Sequence, residues 1–312
     1  MKLCEEEKEG DSMPRCFVLG ANGFIGKHVT HVLSQAGIDV VRGNATTDSS
    51  INARQVDFLD VASLCTAFDG VNTVIHLAWT TVPQSATDDP IHDIQTNVIG
   101  SLNVLKACLA KKVRRIIFTS TGGAIYGLPL YIPVPESHPQ VPVSSYGISK
   151  LMVEKYITLF SHLYGLEYII LRPSNAFGEG QSTKKRQGVI AACLDAVRSR
   201  HTFNVWGDGS VIRDYVHVDD IARSVLAACN TKTANHIVNI GSSKGTSINQ
   251  LLELITQVTG IAIDVNYIDH RLVDAPVNVL DCSQAARLLG WQGQISLEEG
   301  IRRQWRFLQE FG

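Results

Sequence analysis

Three features of the 312-residue sequence predict an α/β chain wound around a parallel sheet: short apolar runs alternate with amphipathic stretches from Arg15 onward, those runs are too apolar to face water, and a glycine-spaced turn joins the first run to the first amphipathic stretch. Strands apolar on both sides are strands covered by helices on both faces, which separates a parallel sheet from an antiparallel sheet with a wet face.

In order, residues 16–19 read as a strand and 25–36 as a helix stopped by Gly37. Strand 39–41, helix 61–68 and strand 73–77 follow. A long helix over 94–111 leads to strand 115–119, and a second over 146–163 leads to strand 167–171. Beyond about residue 173 Gly and Pro become more frequent, around a helix near 218–230, a strand at 237–240 and a helix near 248–259. Residues 14–172 are read as the sheet-based domain. Residues 173–312 are read mainly as a smaller C-terminal α/β region, some of whose segments return to the first. Residues 1–13 carry Glu5, Glu6, Glu7, Glu9 and Asp11 and read as a flexible acidic tail, not a signal peptide.

A formal charge of −2 supplies no field to recruit nucleic acid or an anionic membrane. The 45% hydrophobic and 19% charged fractions fit a folded soluble protein. No apolar run approaches the ~20 residues of a membrane span. Seven cysteines without a CxxC pair, and histidines without metal spacing, argue against a disulfide framework or a metal site and for a cytoplasmic protein.

The first strand opens into Gly20-Ala21-Asn22-Gly23-Phe24-Ile25-Gly26 and then a helix. Gly20 permits a tight turn, Gly23 lets backbone approach a pyrophosphate, and Gly26 lets helix and strand pack closely, the design of a Rossmann-type dinucleotide site. The acid that usually holds the adenosine ribose after the second strand is missing. Asn44 is suited to a ribose hydroxyl and Arg42 to a 2′-phosphate, so NAD is expected and NADP not excluded. Asp57, followed by Phe58, is suited to the adenine amino group. Tyr146 and Lys150 stand four apart in Tyr146-Gly147-Ile148-Ser149-Lys150, on one face of the second long helix. A nearby ammonium is expected to lower the phenol's pKa, so that the pair takes a proton from a sugar or alcohol hydroxyl while hydride leaves its carbon.

On these motifs the chain resembles an extended short-chain dehydrogenase/reductase of the NAD-dependent epimerase/dehydratase family, from Arg15 to about Phe307. The resemblance implies that Leu77, Ala78 and Trp79 of His76-Leu77-Ala78-Trp79 line the cofactor with Thr119 and Pro173, and that Asn97 supports the site. It implies that Tyr146 and Lys150 are the catalytic pair, and that Asn175 of Arg172-Pro173-Ser174-Asn175 meets the diphosphate side of the substrate. Arg213, in Arg213-Asp214-Tyr215-Val216-His217-Val218-Asp219-Asp220, and Arg271 are then phosphate contacts, and Asp274 a ribose contact. One departure stands out. Where relatives usually carry Ser or Thr, this chain has Gly122, and Thr121 just before it is read as the hydroxyl that serves catalysis and substrate. Gly123 and Ala124 occupy the places of the acid pair used by sugar 4,6-dehydratases, which speaks against that chemistry.

The resemblance implies a nucleotide-sugar 4-epimerase, acting on UDP-glucose/UDP-galactose or their N-acetyl forms through transient oxidation at C4 with bound NAD. An NADP-dependent nucleotide-sugar keto-reductase shares every motif, and a non-catalytic nucleotide-binding protein is the third alternative. It further implies a homodimer through the two long helices.

Overall fold

The computed structural model describes residues 15–46, 52–182, 188–269 and 275–311. The first half runs β1 (Arg15–Leu19), α1 (Phe24–Gln35), β2 (Asp39–Asn44), β3 (Ala53–Gln55), α2 (Val61–Ala67), β4 (Thr73–His76), α3 (Pro83–Asp88), α4 (Pro90–Asp93), α5 (Ile99–Ala110), β5 (Arg115–Thr119), α6 (Ser145–Tyr164) and β6 (Glu167–Pro173). The second half runs β7 (Asn175–Phe177), α7 (Val189–Ser199), β8 (Phe203–Trp206), β9 (Ile212–His217), α8 (Val218–Asn230), β10 (His236–Ile240), β11 (Gly245–Ser247), α9 (Ile248–Thr259), β12 (Val265–Ile268), β13 (Val277–Asn278), α10 (Ser283–Leu289) and α11 (Leu297–Phe311).

Seven strands form one parallel sheet in the order β10-β6-β5-β4-β1-β2-β3. The order reverses between β1 and β4, and that switch point opens a crevice at the carboxyl ends of the strands. β4 and β5 are buried at every position, the apolar centres Val74-Ile75 and Ile116-Ile117-Phe118 flanked by buried polar residues Thr73, His76, Arg115 and Thr119. One core layer joins Phe17, Phe68, Phe118 and Ile157 on one face of the sheet, and another joins Val18, Leu33, Ile117 and Ile221 on the other. β10 and α8 come from the second half yet complete the sheet edge and its cover: His236 pairs with Ile169, and α8 packs on α1.

The remaining strands stand apart. β9 pairs with β11, β13 and β7, while β8 pairs with β12, over a third core that contains Phe177, Leu194, Leu251 and Trp305. The expected helix 94–111 is divided: a π-helical turn, Ile94–Val98, precedes α5. Its wider turn accommodates Asn97, which is fully buried and hydrogen-bonded back to Asp93. α6 starts at Ser144, whose hydroxyl accepts the Gly147 N–H at 3.2 Å, and stops at Gly165, where φ is 74°. Among the described residues no helix is long and apolar enough to cross a membrane.

Candidate active site

A cavity of about 550 Å³ follows the crevice from α1 to β8 and β9. Gly20, Gly23, Phe24, Ile25 and Gly26 form one end. Gly20 (φ +90°) donates its N–H to Gly43 O at 2.9 Å, and a Cβ on it would lie 2.8 Å from the Ala78 nitrogen. A Cβ on Gly26 would lie 2.1 Å from Gly20 O. The turn is therefore closed to side chains at both glycines. Gly23 caps α1 without a side-chain acceptor, which leaves the first-turn N–H groups and the positive helix end suited to an anion.

Arg42 and Asn44 shore this turn from behind rather than lining the cavity. Asn44 Oδ1 accepts the Asn22 N–H at 2.8 Å, and Arg42 Nη2 donates to Asn22 Oδ1 at 3.0 Å. Asp57 and Phe58 also stand off the cavity wall. Asp57 accepts the Leu59 N–H at 2.9 Å, and the Phe58 ring packs where a Cβ on Gly100 would fall. Leu77 and Trp79 line the cavity, with Ala78 backing Gly20. Asn97 acts one layer out. Its Oδ1 accepts the Thr80 N–H at 2.8 Å, and its amide donates to Thr81 Oγ1 at 3.0 Å and to Asp93 Oδ1 at 2.8 Å.

The helix face of Tyr146 and Lys150 meets the cavity midway. Lys150 Nζ donates to Thr119 O at 2.8 Å, lies 3.7 Å from the centre of the Trp79 ring, and stands 5.8 Å from that of Tyr146. Burial draws the Lys150 ammonium down to about 7, against the pull of Glu154 and Asp93, which favour its charge. The Tyr146 phenol is raised, by burial first and by Asp93 second. The expectation of a phenol lowered by its lysine is therefore not met in this geometry. The ammonium spends its charge on a carbonyl and on aromatic faces, so burial dominates. Thr121 lines the cavity. Gly122 points away, into Leu280 and Arg172 O, where a Cβ would approach to 2.5 and 3.0 Å. A side chain at Gly122 would disturb that packing, whereas Thr121 just before it has room on the cavity wall.

Thr119 and Pro173 line the same stretch, with Asn175 beyond them. Asn175 donates to Asp214 O at 2.9 Å, and Arg213 reaches the cavity while donating to Ala275 O at 2.6 Å. Arg271 and Asp274 lie outside the described residues, as do the cluster Lys184-Lys185-Arg186 and Gln187. The sequence motifs did not single out Ser120, Ser174, Tyr215 or Trp206, all of which line the cavity. All four sat inside stretches with a readable pattern, Ser120 after β5, Ser174 in Arg172–Asn175, Trp206 in Trp206-Gly207-Asp208-Gly209 and Tyr215 two residues past Arg213, but spacing alone does not say which side chain a loop turns inward. Trp206 is half exposed at the far mouth.

Trp79 Nε1, Thr119 Oγ1, Ser120 Oγ, Ser174 Oγ and Tyr215 OH are buried on this wall without a hydrogen-bond partner among the described residues. Native proteins pair most such groups, so this concentration matches a hydroxyl- and phosphate-rich ligand. With the glycine turn at α1, the residues fit a nicotinamide dinucleotide beside a second polar ligand. No group of three metal-ligating side chains occurs among the described residues.

The sequence profile of the NAD dependent epimerase/dehydratase family matches residues 16–241. A UDP-glucose 4-epimerase of Mycolicibacterium smegmatis is 31% identical over 309 residues, covering 95% of this chain and 98% of that protein. One from Halalkalibacterium halodurans is 32% identical over 318 residues, covering 94% of this chain and 95% of that protein. Among solved structures, UDP-glucose 4-epimerase from Thermotoga maritima with UDP-glucose superposes with a TM-score of 0.89 at 33% identity, covering 95% of this chain and 99% of that one. The Thermus thermophilus UDP-glucose 4-epimerase complex with NAD gives a TM-score of 0.88 at 28% identity, covering 96% of this chain and 100% of that one. The glycine turn, the tyrosine–lysine helix face and these matches along nearly the whole chain agree: this chain belongs to the NAD dependent epimerase/dehydratase family.

Proposed function

We propose that this chain is a nucleotide-sugar 4-epimerase with a UDP-hexose as substrate. The observation that carries the reading is the placement of Tyr146, Lys150 and Thr121 on one cavity wall between the α1 turn and Arg213. NAD, when bound, would supply a reversible hydride acceptor for sugar C4. Tyr146 is the proton acceptor for the C4 hydroxyl and returns the proton after the sugar has turned. Thr121 holds that hydroxyl toward the phenol oxygen. Lys150 stabilises the phenolate and holds the nicotinamide ribose, while the α1 turn, Asn22, Arg42, Asn44, Asp57 and Phe58 serve the adenosine half. Arg213, Asn175, Arg271 and Asp274 hold the nucleotide end of the substrate. Anchoring there leaves the hexose free to present either face while the oxidised sugar stays bound.

Residues 14–172 are assigned mainly to the cofactor and 173–312 mainly to the sugar nucleotide. We further place the chain in the cytoplasm as a homodimer through α5 and α6, whose Ile99, Ile148, Leu159 and Leu163 expose apolar surface. The mass in solution, measured by light scattering, tests the dimer.

The function is tested with purified protein and a panel of UDP-hexoses, with products identified by configuration at C4. Conversion of UDP-galactose to UDP-glucose without net consumption of cofactor is expected. Stoichiometric NADPH consumption points instead to a keto-reductase, and no turnover of any nucleotide sugar points to a non-catalytic protein.

A further inference from the structure

Asp93 ends α4 just before the π-helical turn and is fully buried. Its Oδ1 accepts from the Thr81 hydroxyl and from the Asn97 amide, while its Oδ2 is buried with no partner among the described residues. Thr81 and Tyr146 line the same cavity, and α4 packs against α6. A buried carboxylate with an unpaired oxygen is costly unless a positive charge lies nearby.

The groups around α6 leave Lys150 as that charge. On α6 itself Glu154 is taken by Arg172 of β6, through Arg172 Nε to Oε1 at 3.0 Å and Nη2 to Oε2 at 2.5 Å. Lys155 is at the surface with Gln140. Asp88 on α3 is exposed, with Gln84, and Lys106 on α5 is exposed. Glu167, at the start of β6, pairs with Arg114 and Arg115. His76 on β4, drawn down to about 3 by burial and by Lys150, is neutral.

We infer that Asp93 is a positioning residue for the tyrosine–lysine pair: its carboxylate is the counter-charge that keeps buried Lys150 an ammonium beside Tyr146. This rests on the epimerase reading only for its effect on turnover. The directions at both groups agree with it, since Asp93 favours the charged lysine and disfavours the phenolate.

The test removes the charge and keeps the shape, as Asp93→Asn, with Asp93→Ser as a second neutral variant should the amide not fold and Asp93→Glu as the charged control. Modification of Lys150 by a small amine reagent is followed across pH by peptide mass spectrometry, which needs no substrate. The Lys150 midpoint is expected to fall by about one pH unit in the neutral variants and to stay near wild type in Asp93→Glu. Coincident midpoints, or a rise, overturn the inference. Where wild type turns over a nucleotide sugar, both limbs of the pH–rate profile are expected to move to lower pH in the neutral variants, because a lost negative charge lowers the pKa of lysine and tyrosine alike. A uniform drop with unmoved limbs overturns it. If wild type turns over nothing, the epimerase reading fails while the labelling still decides the role of Asp93.

Discussion

Lys150 and Glu154 sit one turn apart on the same face of α6, both buried, and their surroundings are opposite. Glu154 is gripped twice by Arg172, whose Nη1 also donates to Tyr126 OH at 2.9 Å, and Tyr126 donates in turn to Asn239 Oδ1 at 2.7 Å. Each nitrogen of the guanidinium and both oxygens of the carboxylate have a partner. Lys150 has one carbonyl and the faces of Trp79 and Phe118. Hydrogen bonds and charge from Glu154 hold Arg172 above its ordinary value although burial works against it, whereas Lys150 has been drawn down to about 7. The first arrangement is complete once the chain folds. The second leaves donor capacity, and a neighbouring phenol, directed at a cavity. Satisfied charge marks structure and under-satisfied charge marks function, one helical turn apart.

The sharpest break of that contrast is Tyr146→Phe. Turnover of a UDP-hexose should fall by about 10³- to 10⁴-fold, with the thermal melting curve and NAD affinity little changed, because the hydroxyl faces the cavity and has no hydrogen-bond partner to lose among the described residues. Glu154→Gln should do the reverse. It strands a buried guanidinium at a cost of about 3–5 kcal/mol, measured by urea unfolding, and Glu154→Leu with Arg172→Met should recover most of the loss. A double variant as unstable as the single one would break the distinction. Gly26→Ala probes the cofactor end, where the new methyl meets Gly20 O. NAD affinity by fluorescence titration should drop at least about tenfold, with about 1–3 kcal/mol of lost stability.

The smallest effect belongs to a charged cluster that resembles the Glu154 network more than the Lys150 site. His28 on α1 lies 2.6 Å from Asp219 and 3.0 Å from Glu179 O, while Arg303 reaches Glu179 at 2.8 Å and Asp219 at 2.6 Å. His217 Nε2 stands 3.0 Å from the other Glu179 oxygen, close but misaligned for a hydrogen bond. Burial pushes Glu179 up, yet His217 and Arg303 bring it to about 2. Burial likewise opposes charge on His28, yet its bonds to Asp219 and Glu179 raise it above 6.5. A group raised on folding stabilises fully below its ordinary pKa and loses that contribution as pH rises through the folded value. Wild type should therefore lose about 1 kcal/mol relative to His28→Gln on going from below pH 6.5 upward, read as the difference between their melting temperatures.

The sheet was legible because its strands are apolar on both faces and its helices end at glycines such as Gly37 and Gly165. The tyrosine–lysine face and the glycine turn were legible because helical spacing and backbone freedom are local properties. The short strands β7, β8, β11, β12 and β13 were not, since two- to four-residue pairings depend on partners far along the chain. Nor was the π-helical turn, which answers to Asn97 and Asp93 meeting the loop at Thr80 and Thr81. The proton states escaped as well. Four-residue spacing puts Lys150 near Tyr146, but only the fold shows that Thr119 O and Trp79 claim the ammonium.

The return of β10 to the edge of the large sheet has a mechanical consequence. The chain leaves that sheet after β6, builds strands of the neighbouring layer, comes back, and departs again, so the two layers are sewn together by several crossings instead of hung on one strap. They cannot swing open like the covers of a book, and traffic into the crevice must pass through local yielding of loops. A fragment ending at residue 172 would have β6 as a bare sheet border, inviting strands from other molecules, and should clump rather than stay in solution.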